Sequence, residues 1–411
     1  MYLAKGFYFV AMSAYPFVIG LCVIVIVSFL FNVVARKTNI PSVLMLILLG
    51  VGIQQLLDRL GMKPEYFNTL EVLGIVGLIM IVLEAALDLE LKKEKRTMIW
   101  KSLLIAFVSL CLSSNLIAFV IQYFFQNIGF LPALIYAVPF SIMSSAIIIP
   151  SVVNLEKHKR EFMIYESTFS DILGIMFFYF LIENIGANGV GEVVFSLGSN
   201  IVLTVILSVL LSYLLIFLMQ KIKSQSRFFL FLSILILLYA TTKLFHLSSL
   251  LIILVFGLLL RNYKTLLFGK LRSWLKDSAI DELFENFKMI TVETSFLVRT
   301  FFFVVFGMSM SIATLSRTRV WLISISFVFI LYVVRLLMFL IVERKDIFPQ
   351  AFLAPRGLIS VLLFFAIPED FQVPEFESGA LLLVIIFSSL IMALPLIAGR
   401  KKGRPVLTQR E

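Results

Sequence analysis

Residues 166–171, Glu166-Ser167-Thr168-Phe169-Ser170-Asp171, place two carboxylates and three hydroxyls inside a stretch that otherwise has the composition of a membrane-spanning helix. A charged side chain at the centre of a bilayer is costly, so ionisable residues at that depth usually mark an ion or proton pathway. Because an α-helix advances by about 100° per residue, Ser167, Ser170 and Asp171 share one face. We therefore predict an ion-binding site at Asp171.

The composition predicts an all-α polytopic membrane protein. Hydrophobic residues make up 61% of the 411 positions and charged residues only 15%, which is more apolar surface than a soluble core can bury. A spanning helix needs roughly 20 apolar residues, and thirteen stretches qualify. They are centred near Cys22, Leu46, Gly77, Val108, Met143, Ile175, Val205, Ile234, Ile253, Phe303, Phe327, Ser360 and Ile386.

The distribution of basic residues predicts the topology. Most of the 35 Lys and Arg fall in alternate loops between the thirteen spans, and cytoplasmic loops are the ones enriched in these residues. This pattern places the N-terminus outside and the C-terminus in the cytoplasm, and it explains the net charge of +10 without a nucleic-acid partner. The first span is longer than the apolar core of a signal peptide, so we expect it to be retained in a multi-pass protein of the cell (inner) membrane.

The sequence contains no pattern typical of a cofactor site. Cys22 and Cys111 lie in apolar spans, and His158 and His246 are isolated, so no group has the spacing of a zinc or iron site. A glycine-rich phosphate loop is also missing from the sequence. We expect two free thiols, no cofactor and no bound nucleotide, and a secondary transporter driven by an ion gradient instead of an enzyme.

Two segments indicate an internal repeat. Residues 40–50 and 247–257 are similar, with Ser and Gly eight positions apart in each. The match pairs span two with span nine and predicts two inverted six-helix repeats, spans one to six and eight to thirteen, around a linker span. Such repeats are common in secondary transporters. The alternative is a chance likeness between apolar helices.

Spans five and twelve contain residues that interrupt helices. Span five has Pro139, Ser144-Ser145 and Pro150, and span twelve has Pro355-Arg356-Gly357. Proline removes a backbone donor, and irregular backbone at membrane depth persists only where protein or a water-filled cavity satisfies it. We predict two crossed, broken helices beside Asp171. The alternative is an ordinary proline kink in each span.

Four segments resemble the sodium/proton exchangers of the monovalent cation/proton antiporter superfamily, in particular the electroneutral branch. The two most specific are residues 354–360 and 166–171, which match the family's Arg-Gly segment and its Glu-Ser-x-x-Asn-Asp motif. The other two are Leu83-Glu84-Ala85-Ala86-Leu87-Asp88-Leu89, and Phe301-Phe302-Phe303 with Gly307.

The sequence departs from the family at two places in the expected site. Ser170 stands where the family has Asn, and Ser144-Ser145 stands where it has a Thr-Asp pair. One carboxylate is therefore missing. The resemblance implies cation/proton exchange, whereas these departures leave open a transport-inactive or channel-like member of the same fold.

The resemblance also implies a domain organisation. A scaffold would form the dimer interface of a homodimer and a core would move against it, within one transmembrane domain over residues 1–400. The implied ranges are scaffold spans at about 14–89 and 227–312, core spans at about 98–186 and 318–400, a linker span at about 190–220 and a short basic tail at 401–411.

The chemistry of the motif predicts exchange by competition. Oxygen ligands from Asp171, Ser167 and the broken helices suit a small cation such as Na⁺, Li⁺ or K⁺. The same carboxylate can instead hold a proton, so cation and proton exclude each other. With one titrating carboxylate we expect one proton per cation and electroneutral exchange. Alternatives are an antiporter for K⁺ or an organic substrate, or an Asp171 that merely bonds to hydroxyls in a polar interior.

Intramembrane charges need partners. Arg335 lies mid-span and matches the family's core Arg; we expect it to pair with Glu166, since an uncompensated guanidinium there is costly. From the resemblance, we expect Arg356 to pair with Glu84. Arg299 is expected to extend its head group to the membrane surface or to face the protein interior.

Overall fold

The computed structural model describes residues 14–38, 40–61, 67–126, 128–183, 205–218, 227–244, 249–266, 277–310, 312–344, 347–373 and 376–402. These residues form helices and connecting loops, with no strand among them. Part of the expected linker and most of the expected tail, residues 190–204, 219–220 and 403–411, lie outside the described residues.

Fifteen α-helices follow one another along the described residues. The first seven are α1 (Ala14–Thr38), α2 (Ser42–Arg59), α3 (Phe67–Asp88), α4 (Arg96–Phe124), α5 (Phe130–Ser141), α6 (Ser145–Ser151) and α7 (Lys157–Glu183). The next eight are α8 (Val205–Leu218), α9 (Arg227–Leu244), α10 (Ser249–Arg261), α11 (Tyr263–Leu266), α12 (Asp277–Ser309), α13 (Thr318–Val342), α14 (Leu358–Phe365) and α15 (Gly379–Lys402). Short 3₁₀ helices occupy Lys93–Lys95, Ile312–Ser316, Gln350–Phe352 and Glu369–Phe371.

The apolar stretches agree with the thirteen predicted spans. Twelve of the predicted centres lie in described helices, and the remaining one, Met143, lies between α5 and α6. Within the described ranges, eight helical stretches are long and apolar enough to cross a membrane, and three further apolar helices are shorter. The prediction of an all-α polytopic membrane protein is confirmed.

Two glycine contacts show the repeat in three dimensions. Gly50 of α2 lies against the backbone of α12, where an added Cβ would collide with the carbonyl of Val304. Gly257 of α10 lies against α3, where an added Cβ would come within 2.5 Å of the Ala86 Cβ. Span two thus packs on span ten, and span nine packs on span three. These are equivalent contacts under the pairing that the sequence predicted.

A first group of helices contains α2, α3, α10 and α12, which pack on one another. Ion pairs join α3 to α12: Glu84 Oε1 lies 3.2 Å from Arg299 Nη2, and Asp88 Oδ1 lies 2.7 Å from Lys288 Nζ. These helices belong to the spans that the sequence assigned to a scaffold.

A second group is centred on α4, which packs on α5, α7 and α13, while α13 packs on α15. The Tyr332 hydroxyl of α13 donates to the Ser388 carbonyl of α15 at 3.0 Å. These helices belong to the spans that the sequence assigned to a moving core, and those spans hold every candidate site residue except Glu84.

The two groups meet at the loop after α3. Asn262 donates to the Leu89 carbonyl at 2.8 Å and accepts from the Leu91 N–H at 2.7 Å, which fixes this loop to the end of α10. The Tyr165 hydroxyl of α7 donates to the Glu90 carbonyl at 2.5 Å. This hydrogen bond and an ion pair between Lys95 Nζ and Glu161 Oε1 at 3.0 Å tie the helix that carries Asp171 to the segment after α3.

The Glu90 side chain in this loop lies close to two basic side chains. Its carboxylate is 3.0 Å from Lys92 Nζ and 3.5 Å from Arg261 Nη2. Partial burial acts to raise the pKa of Glu90, but Lys92 and Arg261 outweigh it and hold the pKa below its usual value.

Candidate ion-binding site

Two interrupted helices cross at the centre of the second group. Ile142 to Ser144 are not helical and separate α5 from α6, and an extended segment precedes α14. The Ser144 N–H donates to the Pro355 carbonyl at 2.9 Å. A Cβ added to Gly357 would lie 2.5 Å from Ser144 Oγ. The crossing therefore depends on a residue without a side chain, and the predicted pair of crossed, broken helices is confirmed.

Asp171 points into this crossing and is 2% exposed. Its Oδ2 accepts the Ser145 N–H at 3.0 Å, at the first residue of α6, where unpaired N–H groups carry partial positive charge. Its Oδ1 is buried and has no hydrogen-bond partner among the described residues. One carboxylate oxygen is thus hydrogen-bonded to the protein, and the other has no partner among the described residues.

Ser170 and Ser167 are buried beside Asp171 but bind different groups. Ser170 Oγ accepts the Met143 N–H at 2.9 Å, so it satisfies a second donor of the break. Ser167 Oγ donates to the Ile164 carbonyl of its own helix at 3.2 Å. Together Ser170 and Asp171 replace two of the backbone hydrogen bonds that the interrupted helix lacks.

Glu166 and Arg335 form the predicted buried ion pair. The contact is bidentate, with Nη1 to Oε1 at 2.5 Å and Nη2 to Oε2 at 3.0 Å. The guanidinium also donates to the Gln350 carbonyl from Nε at 3.2 Å and from Nη2 at 2.9 Å, and it lies 4.8 Å from the centre of the Phe339 ring. The pairing that the sequence predicted is confirmed.

The expected pairing of Arg356 with Glu84 is wrong. The Arg356 guanidinium donates to three backbone carbonyls, those of Phe140 (2.8 Å), Ser141 (3.3 Å) and Ala354 (2.6 Å). Two of these are the last carbonyls of α5. Carbonyls at a helix C-terminus accept no hydrogen bond within the helix and carry partial negative charge. The C-terminal end of α5 therefore compensates the charge of Arg356, in place of the carboxylate of Glu84.

Glu84 pairs with Arg299 of α12 at 3.2 Å. Sequence reasoning left Arg299 without a specific partner. The sequence nevertheless contained an indication of this pairing. Glu84 and Arg299 both lie in spans assigned to the scaffold, whereas Arg356 lies in a core span. Charge pairing within each group would have selected Arg299.

At each of the two helix ends that border the break in span five lies a side chain of the charge that this helix end favours. Arg356 lies against the carbonyls that end α5, and Asp171 lies against the N–H that begins α6. Cations are favourable at helix C-termini and anions at helix N-termini. The two charges therefore stabilise the non-helical residues 142–144 from opposite sides.

Comparison with known proteins assigns this architecture to a family. The family model described as "Sodium/hydrogen exchanger, transmembrane" matches residues 23–398. The chain belongs to this family. Members are secondary transporters that exchange a cation for protons, so the protein is a membrane transporter and not an enzyme.

Solved structures with the same fold include two of the sodium proton antiporter MjNhaP1 from Methanocaldococcus jannaschii. The structure at pH 8 has a TM-score of 0.72 at 17% identity and covers 95% of this chain and 98% of its own. An electron-microscopy structure has a TM-score of 0.66 at 18% identity and covers 96% and 100%. No curated protein sequence matches. At this identity the likeness establishes the antiporter fold.

Proposed function

We propose that the protein exchanges Na⁺ for H⁺ at Asp171 by alternating access. The observation that carries this proposal is the buried Oδ1 of Asp171, which has no partner among the described residues while Oδ2 is bound to the Ser145 N–H. A buried, unpaired carboxylate oxygen is costly, and either a proton or a cation relieves that cost. The two ligands compete for one atom, which is the basis of exchange.

The cation ligands beside Asp171 come from the crossing. Ser144 and Ser145 are 2% exposed, and non-helical backbone in broken helices commonly supplies carbonyl ligands to transported ions. Oxygen ligands select hard cations. Li⁺ and K⁺ remain alternatives to Na⁺, because the choice among them depends on the size of the site.

The stoichiometry follows from the number of carboxylates that are free to titrate. Glu166 is held in a bidentate pair, and Arg335 retains its proton at any usable pH. Asp171 is then the one buried carboxylate of the described core that is free to exchange. We therefore propose one proton per monovalent cation, which makes exchange electroneutral.

The inactive or channel-like alternative rests on the missing carboxylate at Ser145. In the structure the Ser145 N–H binds Asp171, and Arg356 is held by three backbone carbonyls. The crossing is therefore complete without a second carboxylate, which favours a working carrier.

The domain organisation is also a proposal. The packing groups around α12 and around α4 support a scaffold at about 14–89 and 227–312 and a core at about 98–186 and 318–400. We further propose a homodimer in the cell (inner) membrane, with the N-terminus outside and the C-terminus in the cytoplasm. The large exposed apolar residues of α1, such as Ile26 and Phe29, suit contact with lipid or with a second subunit.

Exchange is tested in proteoliposomes that hold an imposed pH gradient. Addition of Na⁺, Li⁺ or K⁺ should dissipate the gradient for the natural protein, and Asp171→Asn should abolish the effect while still accepting the Ser145 N–H. Asp58→Asn is the matched control, because Asp58 is exposed and hydrogen-bonded to Gln54. Unchanged exchange in Asp171→Asn would overturn the assignment of the site.

Competition and charge balance are tested in the same vesicles. The KM for the cation should rise as the pH falls, since protons occupy the same oxygen. Clamping the voltage with K⁺ and valinomycin in a Na⁺ assay should leave the rate unchanged. A rate that follows the imposed voltage contradicts one-for-one exchange.

A further inference from the structure

A polar cavity of about 20 Å³ lies within the group around α4. Its walls include Ser109 of α4, Glu166 and Ser170 of α7, Arg335 of α13, and Arg356. Asp171 is not among the residues that line it, but its neighbour Ser170 is, so the cavity lies beside the proposed ion site. A cavity needs at least about 10–15 Å³ to hold one water molecule, and this one has room for it.

The walls have more hydrogen-bond donors than the protein satisfies. A guanidinium has five N–H groups, and the contacts of Arg356 with Phe140, Ser141 and Ala354 use three of them. Ser109 Oγ is buried and has no partner among the described residues. An occupant of the cavity must therefore accept hydrogen bonds.

The charge on the surrounding residues favours a neutral occupant. Among the described residues, the charged side chains that are buried are Glu166, Asp171, Arg335 and Arg356. When Asp171 carries neither proton nor cation, two negative and two positive charges balance, and a chloride ion in the cavity would then leave one buried negative charge unmatched, which is unfavourable in a low-dielectric interior. A water molecule carries no charge, so it leaves the balance unchanged in every state of Asp171.

We propose that this cavity is a binding site for one ordered water molecule. The water accepts a hydrogen bond from Arg356 and donates to Glu166 or to Ser109 Oγ, which gives it the two to four polar partners that buried waters have. The water accepts a hydrogen bond from the Arg356 guanidinium, which forms no ion pair with a carboxylate among the described residues. Through Arg356 it also links the Glu166–Arg335 pair to the carbonyls that end α5. Arg356 and the water together then hold the break in position.

The direct test is a density map of the full-length protein at about 2 Å resolution, prepared once in chloride and once in bromide. We expect one peak within hydrogen-bond distance of Arg356 and Ser109, unchanged between the two salts. A map that resolves other buried waters but shows this cavity empty would overturn the proposal. A bromide anomalous signal in the cavity would also overturn it, because it would identify an anion.

A stability comparison provides an independent test. Ser109→Thr and Ser109→Val add side chains of nearly equal shape, so any strain from overpacking is common to both, but Val has no hydroxyl. If the cavity is a hydrated polar site, the melting temperature of Ser109→Val should fall several degrees below that of Ser109→Thr. Equal melting temperatures, or a more stable Val variant, would show that the cavity is dry and would contradict the proposal.

Discussion

Loss of both partners of the Glu166–Arg335 pair should destabilise the protein no more than loss of Arg335 alone. The two side chains are 1% and 5% exposed and share two hydrogen bonds. Removing one partner of such a pair leaves an uncompensated buried charge and costs about 3–5 kcal/mol. Arg335→Met also loses the bonds to the Gln350 carbonyl, which adds about 1–2 kcal/mol.

The double variant Arg335→Met/Glu166→Gln buries no charge at this position, so its loss should be no larger than that of Arg335→Met alone. The single losses would sum to at least about 7 kcal/mol, which implies a coupling energy of at least about 3 kcal/mol. Reversible unfolding in mixed detergent micelles, followed by tryptophan fluorescence, measures all four proteins. Losses that add to within about 0.5 kcal/mol would show that the two residues are independent and would refute the reasoning.

Three further predictions follow from contacts outside this pair. Gly50→Ala should cost about 1–3 kcal/mol or more, since its Cβ meets backbone of α12 that cannot move aside. Gly52→Ala, with open space around it, should not lower the melting temperature, because alanine is the better residue inside a helix. Gly357→Ala should impair both folding and exchange through its contact with Ser144, and Ser144→Gly should restore them; a double variant no better than Gly357→Ala would contradict the crossing geometry. Because the pKa of Glu90 is lowered in the folded protein, its contribution is present above about pH 4.3 and is lost as pH falls through the folded pKa. Glu90→Gln should therefore be less stable than the natural protein at pH 7, and this difference should shrink as the pH falls below about 4.3, in melting curves recorded across that range.

The fold was predictable because its determinants are local in sequence. Apolar stretches of spanning length, the prolines of span five and the Pro355-Arg356-Gly357 segment each indicate their element without knowledge of its neighbours. The partner of Arg335 was also predictable. A guanidinium at mid-span needs a carboxylate, and Glu166 is one of very few at a comparable depth.

The partners of Arg356 were not predictable in this way. Side-chain pairing considers only ionisable residues, whereas Arg356 donates to backbone carbonyls that become available because α5 ends at Ser141. The sequence indicates that the helix is interrupted but not which atoms the interruption leaves unpaired. The roles of Ser167 and Ser170 were hidden for the same reason. Their shared face was evident, but one hydroxyl binds its own helix and the other binds the break.

The break between α5 and α6 consists of two helix ends, and the charges that these ends require explain why no carboxylate is needed at Ser145. The end of α5 needs positive charge and receives Arg356; the start of α6 needs negative charge and receives Asp171. A second acid at Ser145 is not required for this balance. In the proposed mechanism Asp171 serves two functions through two oxygens, since Oδ2 holds α6 in place while Oδ1 takes the proton or the cation. A carboxylate that is anchored in this way would keep the same orientation with either ligand, so the proposed exchange needs no rearrangement of that side chain.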